Sequence, residues 1–377
     1  MRDRRKNGYI GRIALILIGA GIAIKIFSAL GAEKWISSIM DRAANNEDFA
    51  KYALSQEMQM ADGGEVSRKL IENFCAESAL ETETPQETSQ ETPKTENKRN
   101  LTVWEYTPGG TKKENTYPIE DITINPKSEK GYVKYNNIWI KNDSTKGIDV
   151  KWLLGAKLPF KLTGKGPHVL IVHTHGSESY FPQGRDSYTL TDVERTSDTR
   201  YNVIRVGDEL AATLKANGIS VIHDRNIYDS PSYNGSYTRT LTAIGKTLKS
   251  NPSIKVIIDL HRDSMTTKDG VKYRTVANLD GKKCAQMMIV MSTGESGLPH
   301  PNWAENLKLA VKLQNALANK YPTLMRPMNL RKERFNMHAT TGSMLVEVGT
   351  SANSLSEAIE SIKLLGGELA PILKTAK

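Results

Sequence analysis

From residue 164 onward the apolar residues switch between two habits, short unbroken runs and a three-to-four spacing, and this alternation predicts an α/β domain. The unbroken runs predict strands at 168–173, 220–222, 254–260 (IKVIIDL), 273–278, 284–291 and 343–348. The wider spacing predicts helices at 201–217, 236–250, 302–320 and 356–365. In the first helix Val203, Val206, Leu210 and Leu214 recur on one face, and Gly218 supplies the stop. The expected architecture is a mixed, mostly parallel sheet with helices on both faces, over residues 161–377.

Upstream the pattern changes three times. Residues 1–12 are polar and basic, with Arg2, Arg4, Arg5, Lys6 and Arg12. Residues 13–30 are then almost uniformly apolar, interrupted by Lys25. At about 1.5 Å per residue that stretch just suffices for a tilted membrane-spanning helix, and the basic head places its N-terminal end in the cytoplasm. A cleaved signal peptide, with Ala29, Leu30 and Gly31 near the cut, is the competing reading. Residues 31–75 have weak helical patterning. Residues 76–100 are rich in Thr, Glu, Gln and Pro and nearly devoid of apolar side chains, so they predict a linker with no core of its own. Residues 101–160 hold short β-like segments, a β-rich lead-in to the main domain.

Composition narrows the picture. A hydrophobic content of 38% and a mean hydropathy of −0.45 exclude a multi-span membrane protein. Two cysteines, Cys75 and Cys284, cannot build a Cys-rich zinc module, so any metal must be held by His and carboxylate. The net charge of +9 lies in the C-terminal part: residues 1–100 carry 14 Lys+Arg against 15 Asp+Glu, leaving 37 against 27 for residues 101–377. A basic domain calls for an anionic partner.

Three predicted strand ends carry candidate chemistry. The first is His173, Thr174, His175, Gly176, Ser177 and Glu178; the second is Asp259, His261, Arg262 and Asp263; the third is Glu347 inside SMLVEVGTSANS. Parallel strands in one sheet would bring all three to its C-terminal edge, where α/β sheets bind ligands. The His175-x-x-Glu178 spacing lets one tight turn present two ligands to one ion, with His261 as a third. A carboxylate such as Glu347 in an apolar strand is costly unless charge-paired or at a metal. His173 shares a strand face with His175 if the strand continues, which makes it either a hydrogen-bonded structural residue or a partner to His175. Arg262 and Asp263 could orient His261 or bind substrate. His223, His300 and His338 read as surface or structural.

The motifs HTHGSESY, IDLHRDS and RFNMHATTGSMLVEVGTSANS resemble the stage II sporulation protein P family, as does the layout of anchor, acidic tether and C-terminal domain. LVEVGTSANSLSEA also resembles a block of the zinc-dependent N-acetylmuramoyl-L-alanine amidases. The resemblance implies a zinc (Zn2+) site with His175, Glu178 and His261 as ligands and Glu347 as the catalytic carboxylate. In the amidases the ligand Glu lies well downstream of the first His. That region here is TLTDVERTSDTRYN, so Glu194 and Asp192 compete with Glu178 for the second ligand position. The resemblance further implies a peptidoglycan amidase that is also an endopeptidase, acting in engulfment during sporulation. Its implied partners are peptidoglycan and the stage II sporulation proteins D and M, with no nucleic acid. It would be a single-pass protein of the cell membrane, held by residues 13–30, with the catalytic domain outside the cytoplasm. The alternative from another class is a non-catalytic wall-binding scaffold of a membrane complex; a tethered zinc carboxypeptidase is a third reading.

Overall fold

The computed structural model of the chain describes residues 116–376. The expected tail, membrane helix, juxtamembrane region and linker, and the first part of the lead-in, lie outside the described residues. Among the described residues no helix is long and apolar enough to cross a membrane.

The strands are β1 (Tyr117–Ile122), β2 (Val133–Tyr135), β3 (Ile138–Asn142), β4 (Val169–Val172), β5 (Ser187–Tyr188), β6 (Val221–His223), β7 (Val256–Asp263), β8 (Lys272–Leu279), β9 (Lys282–Ala285), β10 (Met287–Ser292), β11 (Met328–Arg331) and β12 (Gly342–Thr350). The helices are α1 (Val150–Gly155), α2 (Val203–Ala216), α3 (Ser236–Ser250), α4 (Trp303–Lys320) and α5 (Leu355–Lys374). Eight strands form the main sheet in the order β2-β3-β11-β10-β12-β7-β4-β6. It is mixed: β12, β7, β4 and β6 run parallel, β3, β11 and β10 run parallel, and the β10–β12 and β2–β3 pairings are antiparallel.

The central strands are apolar throughout because both their faces are covered. Val169, Ile171, Val256, Ile258 and Leu260 face a core that includes Val203, Val206, Leu210 and Leu214 of α2 and Ile362, Leu365 and Leu369 of α5. Leu170, Val172 and Ile257, offset by one residue, face the other way against Ile244 of α3 and Ile254. Each such buried side chain contributes about 1.5–3 kcal/mol, so the strand ends stand on a firmly packed platform.

Two departures from the sequence reading have clear causes. The single strand expected at 284–291 is two, because the chain changes sheets at Gln286. β9 pairs with β8 in a second, four-stranded sheet ordered β5-β1-β8-β9, while β10 pairs with β11 and β12 in the main one. The buried Gln286 amide stitches this switch: Nε2 donates to Ile124 O (3.1 Å) and Thr323 O (2.6 Å), and Oε1 accepts from Ile124 N (2.7 Å). The lead-in strands are shared out in the same way, β1 pairing with β8 and β3 with β11. The last helix also runs nine residues past its expected end at 365, to Lys374. Gly366 lies inside it because a Cβ there would meet Thr213 Cγ2 of α2 at 2.8 Å; this glycine permits close helix packing and ends nothing.

Replacing Gln286 by Leu keeps the volume but leaves three half-buried backbone groups without this partner, at about 1–3 kcal/mol each before relaxation and rehydration. The expected loss of stability is about 2–5 kcal/mol, measured by urea unfolding. A loss below about 1 kcal/mol would mean that packing alone holds the switch.

Candidate active site

The site forms where β4, β7 and β12 end side by side. The register sets Leu345 beside Asp259 and Glu347 beside His261 across the parallel β12–β7 pair. Because partners in a parallel pair share a face and alternate residues repeat it, Asp259, His261 and Glu347 all project to the α3 side of the sheet. On the neighbouring strand Val172 is the register partner of Asp259. The chain then turns, and Thr174 fastens that turn to Asp259, donating from its N (2.8 Å) and from Oγ1 (2.6 Å). This anchor delivers His175 to a ring-centroid distance of 5.2 Å from His261, edge to face.

Glu178 comes from the same turn. Its Oε2 lies 3.5 Å from His261 Nδ1 and accepts from Arg262 N at 3.1 Å. His261 Nε2 lies 3.0 Å from Asp259 Oδ1, although the contact lacks the direction of a hydrogen bond. His175 Nδ1 is 3.5 Å from Ser236 Oγ, and its ring stacks on Tyr233 at 4.2 Å and meets Tyr237 edge-on at 5.6 Å. Arg195 closes the outer side, 2.7 Å from Asp229 Oδ2 and 3.6 Å from Glu178 Oε1.

Burial and charge set the protonation states. Burial pushes His175 down to about 4, so it stands as a neutral imidazole at neutral pH. Burial opposes ionisation of Glu178, but His261 and Arg262 hold its carboxyl well below the usual range. Burial likewise opposes charge on His261, and Asp259 and Glu178 override it and raise the imidazole well above its ordinary value. Glu347 is the opposite case. Burial, with Asp263 nearby, pushes its carboxyl up to about 8, and its Oε2 has no hydrogen-bond partner.

Of the residues singled out in the sequence, His175, Glu178, His261 and Glu347 are brought together. The competing Glu194 and Asp192 are placed elsewhere: Glu194 pairs with Lys272 at 2.6 Å, and Asp192 is held by Arg185 and the backbone of Thr189. The expected alignment of His173 with His175 does not occur. Alternation carries Val169, Ile171 and then His173 to the α2 face, where a Cβ on Gly207 would meet His173 Nε2 at 2.6 Å. The strand course ends past Thr174, and it is His175 that turns to the α3 side. On the α2 face, His173 Nδ1 is 3.1 Å from Leu260 O and its Nε2 is 2.8 Å from His223 Nε2, with Asp208 3.2 Å from the far side of His223. Arg262 does not reach a ligand position either. Its guanidinium donates to the backbone oxygens of Ser179, Asp263 and Glu194, tying the 178–196 loop to β7. Asp263 pairs with Arg326 at 2.8 Å.

Sequence reasoning gave no role to Asp259, Tyr233, Tyr237, Arg195 or Asp229. Asp259 was within reach, since Asp259 and His261 are two apart on one strand and therefore share a face. The others come from two loops and a helix start, where no periodicity links them to the strand ends.

The donor set is chemically suited to a divalent metal. His175 offers a neutral imidazole and Glu178 an ionised carboxylate; His261, whose imidazole Asp259 and Glu178 hold protonated in the metal-free site, would give up a proton on joining them as a ligand. Among the described residues no three His, Cys, Asp or Glu side chains already converge on one point.

An α/β sheet carrying imidazoles and carboxylates at its central strand ends defines the class of this protein. The model of the Stage II sporulation protein P (SpoIIP) family matches residues 45–370, and the chain belongs to that family. The Stage II sporulation protein P of Bacillus subtilis (strain 168) is 30% identical over 210 residues, which cover 53% of this chain and 49% of that protein. The chain thus spans about half the length of the curated relative it matches. Among solved structures, the N-acetylmuramyl-L-alanine amidase Ami1 from Mycobacterium smegmatis is 14% identical, covering 56% of this chain and 98% of its own, with a TM-score of 0.34. The CwlD amidase from Clostridioides difficile, in complex with the GerS lipoprotein, is 12% identical over 55% of this chain and 98% of its own, also with a TM-score of 0.34. Likeness at that level carries no functional argument.

Glu347 makes a stability prediction. Its folded pKa of about 8 exceeds the ordinary 4.5, so the folded state holds a proton that the unfolded chain gives up. Stability therefore falls as pH rises from 4.5 towards 8, and the full penalty is present above 8. In chelator-treated protein, Glu347→Gln should stabilise at pH 7 by about 1–3 kcal/mol, and the gain should shrink towards pH 5. Melting curves at the two pH values check this; a Gln variant less stable at pH 7 would contradict the burial argument.

Proposed function

We propose that the domain is a zinc-dependent peptidoglycan hydrolase, an N-acetylmuramoyl-L-alanine amidase of the outer cell surface that serves sporulation. The observation that carries this reading is the half-buried carboxylate of Glu347, its Oε2 without a hydrogen-bond partner, in register with His261 and beside the His175–Glu178 turn. Family membership gives the biological setting. His175, Glu178 and His261 are the residues that would hold the ion. A zinc ion held there would supply a bound water with a pKa of about 7 and would polarise the amide carbonyl.

The chain's own residues do the rest. Glu347 takes a proton from the attacking water and passes it to the nitrogen of the leaving L-alanine. Asp259 holds His261 in one orientation, and Thr174 holds Asp259. Arg195 and Tyr233 form the outer wall beside His175 and Glu178.

Membrane tethering through residues 13–30, endopeptidase action on the cross-links, a role in engulfment and partnership with the stage II sporulation proteins D and M belong to the same proposal. The net +10 of residues 101–377 suits a carboxylate-rich wall. The competing reading, a non-catalytic wall-binding scaffold, predicts wall binding without metal.

Digestion of purified wall tests the proposal. His175→Ala, His261→Ala and Glu347→Gln should each lower stem-peptide release by about 10³-fold or more. The two His variants should also lose zinc, and Glu347→Gln should keep it. Undiminished release by any of the three, or wall binding by a metal-free wild-type chain with no release, would overturn the assignment.

A further inference from the structure

Hydrolysis of an amide needs more than a water and a base. As the water oxygen bonds to the carbonyl carbon, the carbonyl oxygen gains negative charge, and that charge needs a donor. The side chains bordering this site are poorly suited to supply one. Glu178, Asp259 and Glu347 are carboxyl groups, and Ser236 Oγ faces His175 Nδ1. The Arg195 guanidinium is committed to Asp229, and Arg326 to Asp263.

Tyr237 is the exception. It is the second residue of α3, which begins after Gly235 in a left-handed conformation. Its ring sits edge-on to His175 at 5.6 Å and packs against Phe335 at 5.9 Å. Its backbone oxygen accepts from Asn336 Nδ2 at 2.7 Å, which fixes the start of the helix. The ring is therefore held on two sides, and among the described residues no hydrogen bond uses its hydroxyl. A phenol keeps its proton at neutral pH. A neutral and uncommitted O–H donor thus stands beside His175 and the carboxyl groups around it.

We infer that the Tyr237 hydroxyl is a catalytic hydrogen-bond donor to the scissile carbonyl oxygen, strengthening as that oxygen gains charge. The inference rests on the amidase reading above. The reaction stays balanced without a further reagent. The water oxygen joins the acyl carbon and the carbon–nitrogen bond breaks. Both water protons end on the leaving amine, the first by way of Glu347. The Tyr237 O–H bond is not broken.

The test uses the full zinc-loaded chain and soluble muropeptide substrate, comparing wild type, Tyr237→Phe and Tyr237→4-aminophenylalanine. The Phe variant should lose about 10²–10³-fold in kcat with KM within about threefold, because the donor acts mainly in the transition state. Zinc per chain and melting temperature should match wild type. The 4-aminophenylalanine variant, which restores an N–H donor at the same place, should recover at least about a tenth of the lost rate. Phe activity within about twofold of wild type, or equal losses in both variants, would overturn the inference and leave the amidase reading standing. A wild-type chain that releases no stem peptide would overturn both.

Discussion

The structure depends on the pairing of β12 with β7, which seats a carboxyl at Glu347 beside an imidazole at His261 in the middle of an apolar sheet. Placing a carboxylate in such surroundings is unfavourable by several kcal/mol unless a counter-charge is close. His261 is that counter-charge, but Asp259 and Glu178 already claim it. With His175 neutral, the immediate cluster holds more acid than base. Arg195 and Arg326 do not redress this, since Asp229 and Asp263 occupy them. Burial first, and the unmet negative charge with it, raise the pKa of Glu347. A bound cation is the physical remedy that leaves every carboxylate in place.

That cluster needs a rigid surround, and the chain supplies it by tying loops to strands. Arg262 uses its backbone N on Glu178 and its guanidinium on three carbonyl oxygens, so one side chain fixes both a proposed ligand and the loop that carries it. Ser177 and Arg195 converge on Asp229, which joins the first loop to the one bearing Tyr233. At the far end of β12 a bulge between Glu347 and Thr350 coincides with Gly349 at φ 71°, where a Cβ would lie 2.8 Å from Asn353 Oδ1. Asn353 then caps the Thr350 amide and meets Glu357 in the first turn of α5. The SANS segment after Glu347 thus anchors the strand end to a helix start.

The strands that carry the site were legible in the sequence because burial on both faces writes an unbroken apolar run. Val169–Val172 and 254–260 are such runs, and the order of the polar residues after them gave His175, Glu178, His261 and Glu347. What strand periodicity cannot report is where a strand stops. His173 and Thr174 still alternate, but past them the alternation no longer applies, and His175 turns to the face opposite His173, a divergence that the shared two-residue spacing hides. The same limit hid the sheet switch at Gln286, where the chain reads as a continuous strand but a buried amide redirects it. Loop residues such as Arg195, Asp229 and Tyr233 have no period, so only their contacts identify them.

The physical cost of the site also bears on the choice between an enzyme and a scaffold. A wall-binding surface needs exposed cations, and these are served by lysines and arginines anywhere on the domain. It has no use for a half-buried acid whose ionisation is resisted by its surroundings. Nor does it need an imidazole clamped between two carboxylates, or a threonine donating twice to one of them. Such groups lower stability wherever they serve no purpose, and substitutions to apolar or amide side chains would relieve them. A fold that keeps a destabilising acid in register with an oriented imidazole, beside a second imidazole and an ionised carboxylate, retains strain at the place where proton transfer would use it. That juxtaposition favours catalysis over passive binding.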